Sequence, residues 1–287
     1  MTDNSMRGKV CLITGATSGI GKASSLALAK QDASLVLVAR NTEKAAQLKQ
    51  YIKDESGNED VDLIIGNLAS LADIRRIAQD FIDSGKPLHV LLNNAGVTNM
   101  KRVLTVDGYE EMFAVNHLAY FLLTHLLLDR LKGNFPARIV NVASGAHAYC
   151  KSGINFEDIN FEKGFGTMKV YGHSKLANIL FTHQLAKKLE GSNVTVNCCH
   201  PGAVATGLGS NNGVLGKLAM TLLKPFFLSP EQGAATSIYL ATSEEIQGSG
   251  GYYADCKPAT VKPWAKDDAA AEWLWEMSLE MTGLTES

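Results

Sequence analysis

Short β-branched and apolar runs alternate along the chain with longer amphipathic stretches. The runs are KVCLIT (9–14), SLVLVA (34–39), VDLIIG (61–66), LHVLLN (88–93), RIVNVA (138–143) and NVTVNCC (193–199). Between them, helical periodicity falls near 20–31, 42–55, 70–84, 107–131 and 170–190. Continuous apolar strands have no face to offer water, so their alternation with helices predicts a parallel sheet covered on both sides. GGYYAD (250–255) predicts a last strand. No linker or internal repeat interrupts the pattern, and the expectation is one doubly wound α/β domain over residues 1–287.

After HPG (200–202) the pattern loosens into AVATGLGSNNGVLGKLAMTLLKPFFL, glycine-rich and then apolar. SPEQGAATSIYLA next opens a helix with Ser229 as N-cap, Pro230 in its first position and Glu231 in its first turn. Residues 203–228 thus read as an insertion at the carboxyl edge of the sheet, where doubly wound folds bind ligands, and are expected to form a substrate lid. The same pattern also suits an amphipathic helix on the core or in peripheral contact with a membrane. In AEWLWEMSLEM (271–281), Leu274, Met277 and Met281 share one helix face suited to core or subunit packing.

Composition removes several classes. A net charge of −2 gives no bulk attraction to nucleic acid, and no basic block compensates. Five cysteines without a C-x-x-C pair suit reduced thiols and a cytoplasmic setting. The start, MTDNSMRGKVCLITG, has no apolar signal core, so secretion is not expected. LAYFLLTHLLL falls short of the roughly 20 apolar residues of a membrane span and is expected to be a buried helix. The seven histidines form no H-E-x-x-H or tight Cys/His cluster, so no metal is expected. His173 is expected at the surface.

Candidate chemistry begins at TGATSGIG (14–21), after the first strand. Gly15, Gly19 and Gly21, with Thr17, Ser18 and Ile20 between them, combine a tight turn, backbone access and a helix N-terminus, the parts of a diphosphate cradle. The second strand ends in Ala39 and Arg40 with no carboxylate. An acid there would hold a ribose 2′-hydroxyl, whereas arginine accommodates a 2′-phosphate, so NADP(H) is expected over NAD(H). In YGHSKLANILF, Tyr171 and Lys175 lie four apart on a helix and face one site. A nearby ammonium is expected to lower the phenol pKa.

These residues, with NNAG (93–96), VNHL (115–118), Ser144 in NVASG, and HPG, resemble the short-chain dehydrogenase/reductase family from about residue 9 to 254. INFEDINFEKGF and PFFLSPEQGAATSIYLA are most similar to its retinol dehydrogenase branch. The animal membrane-bound members of that branch carry an N-terminal hydrophobic anchor, and none is expected here. The resemblance implies a Rossmann fold and gives Tyr171 the role of general acid or base. It implies that Lys175 holds the nicotinamide ribose, that Ser144 hydrogen-bonds the substrate oxygen, and that Asn116 orients a water behind Lys175. Asn93, Ala95 and Gly96 would line the cofactor cleft; Leu68, Pro201, Gly202, Val204 and Thr206 are further implied contacts. Asn67 stands where relatives usually carry aspartate; its amide oxygen can still accept from adenine. A homodimer through the helices near 107–131 and 170–190 is a further implication.

The expected activity is NADP(H)-dependent hydride transfer to or from a lipophilic aldehyde, ketone or alcohol, retinal or retinol-like among them. Alternatives are a steroid or xenobiotic carbonyl reductase, a catalytically silent NADP(H)-binding regulator, and a methyltransferase with a similar first half. The last two leave the Tyr171 and Lys175 pair without a task.

Overall fold

The computed structural model describes residues 5–204, 228–246 and 248–285. The expected lid therefore lies, but for its two ends, outside the described residues, as does Thr206. Among the described residues, eight strands form one sheet in the order β3-β2-β1-β4-β5-β6-β7-β8. They are β1 (Val10–Thr14), β2 (Ser34–Ala39), β3 (Val61–Ile65), β4 (Val90–Asn93), β5 (Ala137–Val142), β6 (Val194–His200), β7 (Tyr252–Ala254) and β8 (Lys257–Pro258). All pairings are parallel except β7 with β8. The order reverses between β1 and β4, which opens a crevice at their carboxyl ends.

The helices are α1 (Gly19–Lys30), α2 (Thr42–Ser56), α3 (Leu71–Asp83), α4 (Glu111–Lys132), α5 (Thr167–Lys188), α6 (Pro230–Thr242) and α7 (Asp268–Thr282). Strand side chains alternate between faces, so neighbours in sequence enter different cores. Cys11 and Ile13 pack with Leu28, Leu48 and Leu240 beneath α1, α2 and α6. Leu12 packs with Ile77, Phe121, Phe181 and Trp275 beneath α3, α4, α5 and α7. Ser229 caps α6 in a reciprocal box with Gln232, as its sequence suggested.

Four features depart from expectation. The chain turns back after β7 through Asp255 and Cys256, both at positive φ (50° and 57°), to add β8. That is a two-residue hairpin of the primed type, built without the usual Asn-Gly signal. Helix α4, its apolar stretch longer than expected, is by length and composition the one described helix able to cross a membrane, while that stretch is mostly buried in the core as expected. On α7 the buried face is Ala271, Leu274, Trp275, Ser278, Leu279 and Thr282; Leu274 and Met281 pack on the core as expected, whereas Met277 lies to one side. His173 is buried, not exposed: its Nε2 accepts from the Asn155 amide (2.8 Å), and burial pushes its pKa down to about 3.

Candidate active site

At the crevice the ends of β1 and β4 are laced together. Thr14 Oγ1 accepts from the Asn94 amide (3.0 Å) and the Ala95 amide (3.1 Å). Asn94 Nδ2 donates to the carbonyls of Thr14 (2.9 Å) and Gly15 (3.3 Å). Gly15 sits at φ +65°, where a Cβ would lie 2.7 Å from Ala95 Cα. At Gly21, in the first turn of α1, a Cβ would strike the Gly15 carbonyl and come within 2.6 Å of Asn94 Nδ2. Ser18 precedes α1 in an extended conformation, is exposed, and spends no side-chain bond on capping. Thr17 is half-buried and Ile20 buried beside it. The helix thus offers free N–H groups and a hydroxyl across a floor cleared of side chains, which fits a diphosphate. Thr14 and Asn94 were missed in the sequence; the signals were a hydroxyl just before Gly15 and the second asparagine of NNAG.

Arg40 leaves β2 at the same edge, exposed and without an ion pair among the described residues. Asn67 Oδ1 already accepts from the Ala69 amide (3.1 Å) in a local turn, which leaves one lone pair for a ligand. Leu68 packs against the core. Asn93 does not line the crevice. Its side chain is fully buried, donating to Thr124 Oγ1 (3.0 Å) and Asn141 Oδ1 (2.9 Å), because the last residue of β4 points beneath α4. Ala95 is buried, its carbonyl held by the Tyr120 hydroxyl (2.7 Å), while Gly96 is exposed.

Beyond β5, Ser144 heads a 3₁₀ turn (Gly145–Tyr149), and its Oγ accepts from the Ala146 amide (3.1 Å). Helix α5 presses on this turn through Gly172, where a Cβ would lie 2.5 Å from the Ala146 carbonyl oxygen. That contact sets the Tyr171 phenol near Ser144, close enough for the serine to oppose part of the rise in its pKa. One turn on, Lys175 is buried; its Nζ donates to the Val142 carbonyl (2.8 Å) and stands 5.8 Å from the Tyr171 ring centroid. Burial pushes Lys175 down to about 7. Burial also raises the Tyr171 pKa, only partly opposed by the nearby Ser144. The expected lowering by Lys175 is therefore overturned: desolvation of the phenolate dominates.

Asn116 lies in a π-helical turn of α4 (Ala114–Leu118), the kind of irregularity that re-aims a helix side chain. Its Oδ1 accepts from the Val97 amide (2.8 Å), and its Nδ2 donates to the Val97 carbonyl (3.1 Å) and to Ser174 Oγ (2.9 Å). A Cβ on Gly96 would stand 3.5 Å from Asn116 Oδ1 and 3.6 Å from Lys175 Nζ. The fold therefore assembles Asn116, Ser144, Tyr171 and Lys175 around the mouth beyond Gly96. After β6, Pro201 and Gly202 (φ +78°) turn the chain to Val204, which bridges to Leu228 and packs on α6 at Gly233. Among the described residues no group of three or more His, Cys, Asp or Glu could hold a metal.

This is the site of a dinucleotide-dependent oxidoreductase, and the chain belongs to the short-chain dehydrogenase family, whose model matches residues 9–213. Its relatives place it in the retinol dehydrogenase branch. Retinol dehydrogenase 14 of Mus musculus is 43% identical, with 97% of this chain and 87% of that one covered. Retinol dehydrogenase 13 of Homo sapiens is 41% identical, with 96% and 85% covered. Among solved structures, an uncharacterized protein from Mycobacterium Paratuberculosis superposes with TM-score 0.77 at 29% identity, covering 97% and 94%. RhlG of Pseudomonas aeruginosa, solved as an NADP active-site complex, gives 0.69 at 27%, covering 88% and 96%. As a member of this family the chain is an oxidoreductase acting on alcohol or carbonyl groups of a small molecule with a nicotinamide dinucleotide.

Proposed function

We propose that the chain is an NADP(H)-dependent oxidoreductase that interconverts a lipophilic aldehyde or ketone and its alcohol, retinal or retinol-like compounds among them, in the cytoplasm. The observation that carries it is the packing of Tyr171 and the buried Lys175, 5.8 Å from the phenol ring, against the turn headed by Ser144, beside a cleft cleared at Gly15 and Gly21. The nicotinamide, when bound, supplies or accepts the hydride. Ser144 hydrogen-bonds the substrate oxygen as charge develops there. Tyr171, its pKa raised, holds its proton at neutral pH and gives it to that oxygen in reduction, then takes it back in oxidation. Lys175 holds the ribose side of the dinucleotide, and Asn116 fixes the loop at Val97 against α5. Arg40, exposed and without an acidic neighbour on β2, supports a 2′-phosphate and so NADP(H). The names of the retinol dehydrogenase relatives and the apolar Leu, Met and Phe of 214–228 support a lipophilic substrate. Five unpaired cysteines support a reducing compartment.

The test follows the loss of NADPH absorbance, with NADH in parallel, against a panel of aldehydes and ketones that includes retinal. Tyr171→Phe should lower kcat by about 10² or more with little change in NADPH affinity. Near-normal turnover in that variant would refute the assignment.

A further inference from the structure

Two imidazoles grip opposite poles of one peptide unit, the one joining Ser144 to Gly145. The Ser144 carbonyl lies 2.8 Å from His147 Nδ1. A carbonyl only accepts, so Nδ1 carries the proton, and His147 Nε2 is left as the acceptor for the Lys262 amide at 3.4 Å. The Gly145 amide on the same peptide donates to His200 Nδ1 at 3.1 Å. His147 is 4% exposed and lies edge-on to Tyr252 of β7, ring centroids 5.4 Å apart. Its own carbonyl accepts from Trp264 Nε1 (3.0 Å), so two residues of the chain beyond β8 hold the residue that holds Ser144.

We propose that His147 and His200 are positioning residues that lock the Ser144–Gly145 peptide plane, and that the 262–264 segment sets Ser144 through His147. A hydroxyl on a short side chain follows its backbone, and a displacement of about 1 Å at a reacting group can cost up to ~10²-fold in rate. Each imidazole bonds the backbone that carries Ser144 and not its hydroxyl, while His147 Nε2 takes the Lys262 amide. The catalytic consequence rests on the reading above, in which Ser144 contacts the substrate oxygen.

The experiment compares His147→Phe, His147→Asn and His200→Phe in the full chain, by turnover with NADPH and by amide hydrogen exchange of residues 144–150. Phenylalanine keeps the ring volume at 147 and removes both bonds, whereas an asparagine amide can occupy the Nδ1 position. His147→Phe should lower kcat about tenfold with an unchanged Kd for NADPH. His147→Asn should recover most of that loss, as a purely space-filling role would not allow. Both Phe variants should speed exchange in 144–150 at least tenfold. Unchanged kcat in His147→Phe, or equal losses in the Asn and Phe variants, overturns the proposal. If the wild-type chain turns over no carbonyl while binding NADPH, the functional reading falls instead, and exchange alone decides the clamp: unchanged protection in both Phe variants sinks it.

Discussion

A single methyl group at Gly21 should separate cofactor binding from folding. In Gly21→Ala the new carbon would overlap the Gly15 carbonyl and lie 2.6 Å from Asn94 Nδ2, both inside van der Waals contact. Either α1 withdraws from the glycine turn, an overpacking strain of about 1–3 kcal/mol, or Asn94 gives up its bonds to Thr14 and Gly15. Leaving such groups unpaired costs about 1–3 kcal/mol. These are two routes to relieve one strain, so they do not add, and about 2 kcal/mol is expected. Either route deforms the floor that receives the diphosphate. If the strain appears in binding, about 2 kcal/mol is roughly 30-fold in Kd for NADPH. The control is Gly57→Ala: this glycine ends α2 at φ +72° with nothing within 4 Å of its would-be Cβ, so it carries only the left-handed penalty, about 1 kcal/mol. Fluorescence titration with NADPH and urea unfolding of both variants would decide. A Gly21→Ala affinity within twofold of wild type, or equal weakening by both variants, would refute the account of the cradle.

Charge and pH give two further tests. Arg40→Asp should shift the ratio of kcat/KM for NADPH over NADH by at least about tenfold towards NADH, because a carboxylate repels a 2′-phosphate and binds a 2′-hydroxyl; steady-state kinetics with both cofactors reads it, and an unchanged ratio moves 2′-phosphate recognition elsewhere. Lys175 titrates near 7 in the fold and near 10.5 when unfolded, so across that window the unfolded chain binds the extra proton. Stability of the cofactor-free protein should therefore rise from pH 7 to 10, this group contributing up to about 1.4 kcal/mol per pH unit, and fall as pH drops towards 7. Lys175→Met should remove that contribution, as seen in urea midpoints measured across the window.

The sequence by itself determined the doubly wound sheet, the placement of seven of the eight strands, and the family. Apolar runs with no polar face admit few arrangements, and the glycine turn, Ser144, and the Tyr171 and Lys175 pair announce themselves by type and spacing. The serine-capped start of α6 was legible for the same reason, since its signals are local. What only the tertiary structure decided depended on neighbours distant in the chain. Asn93 turned from the crevice to Thr124 and Asn141, 31 and 48 residues away. His173 went into the core to hold the amide of Asn155. Desolvation, set by everything packed around α5, reversed the expected direction of the Tyr171 pKa. The two imidazoles on the Ser144 peptide come from the turn itself and from β6, 55 residues on, a convergence that no local pattern encodes.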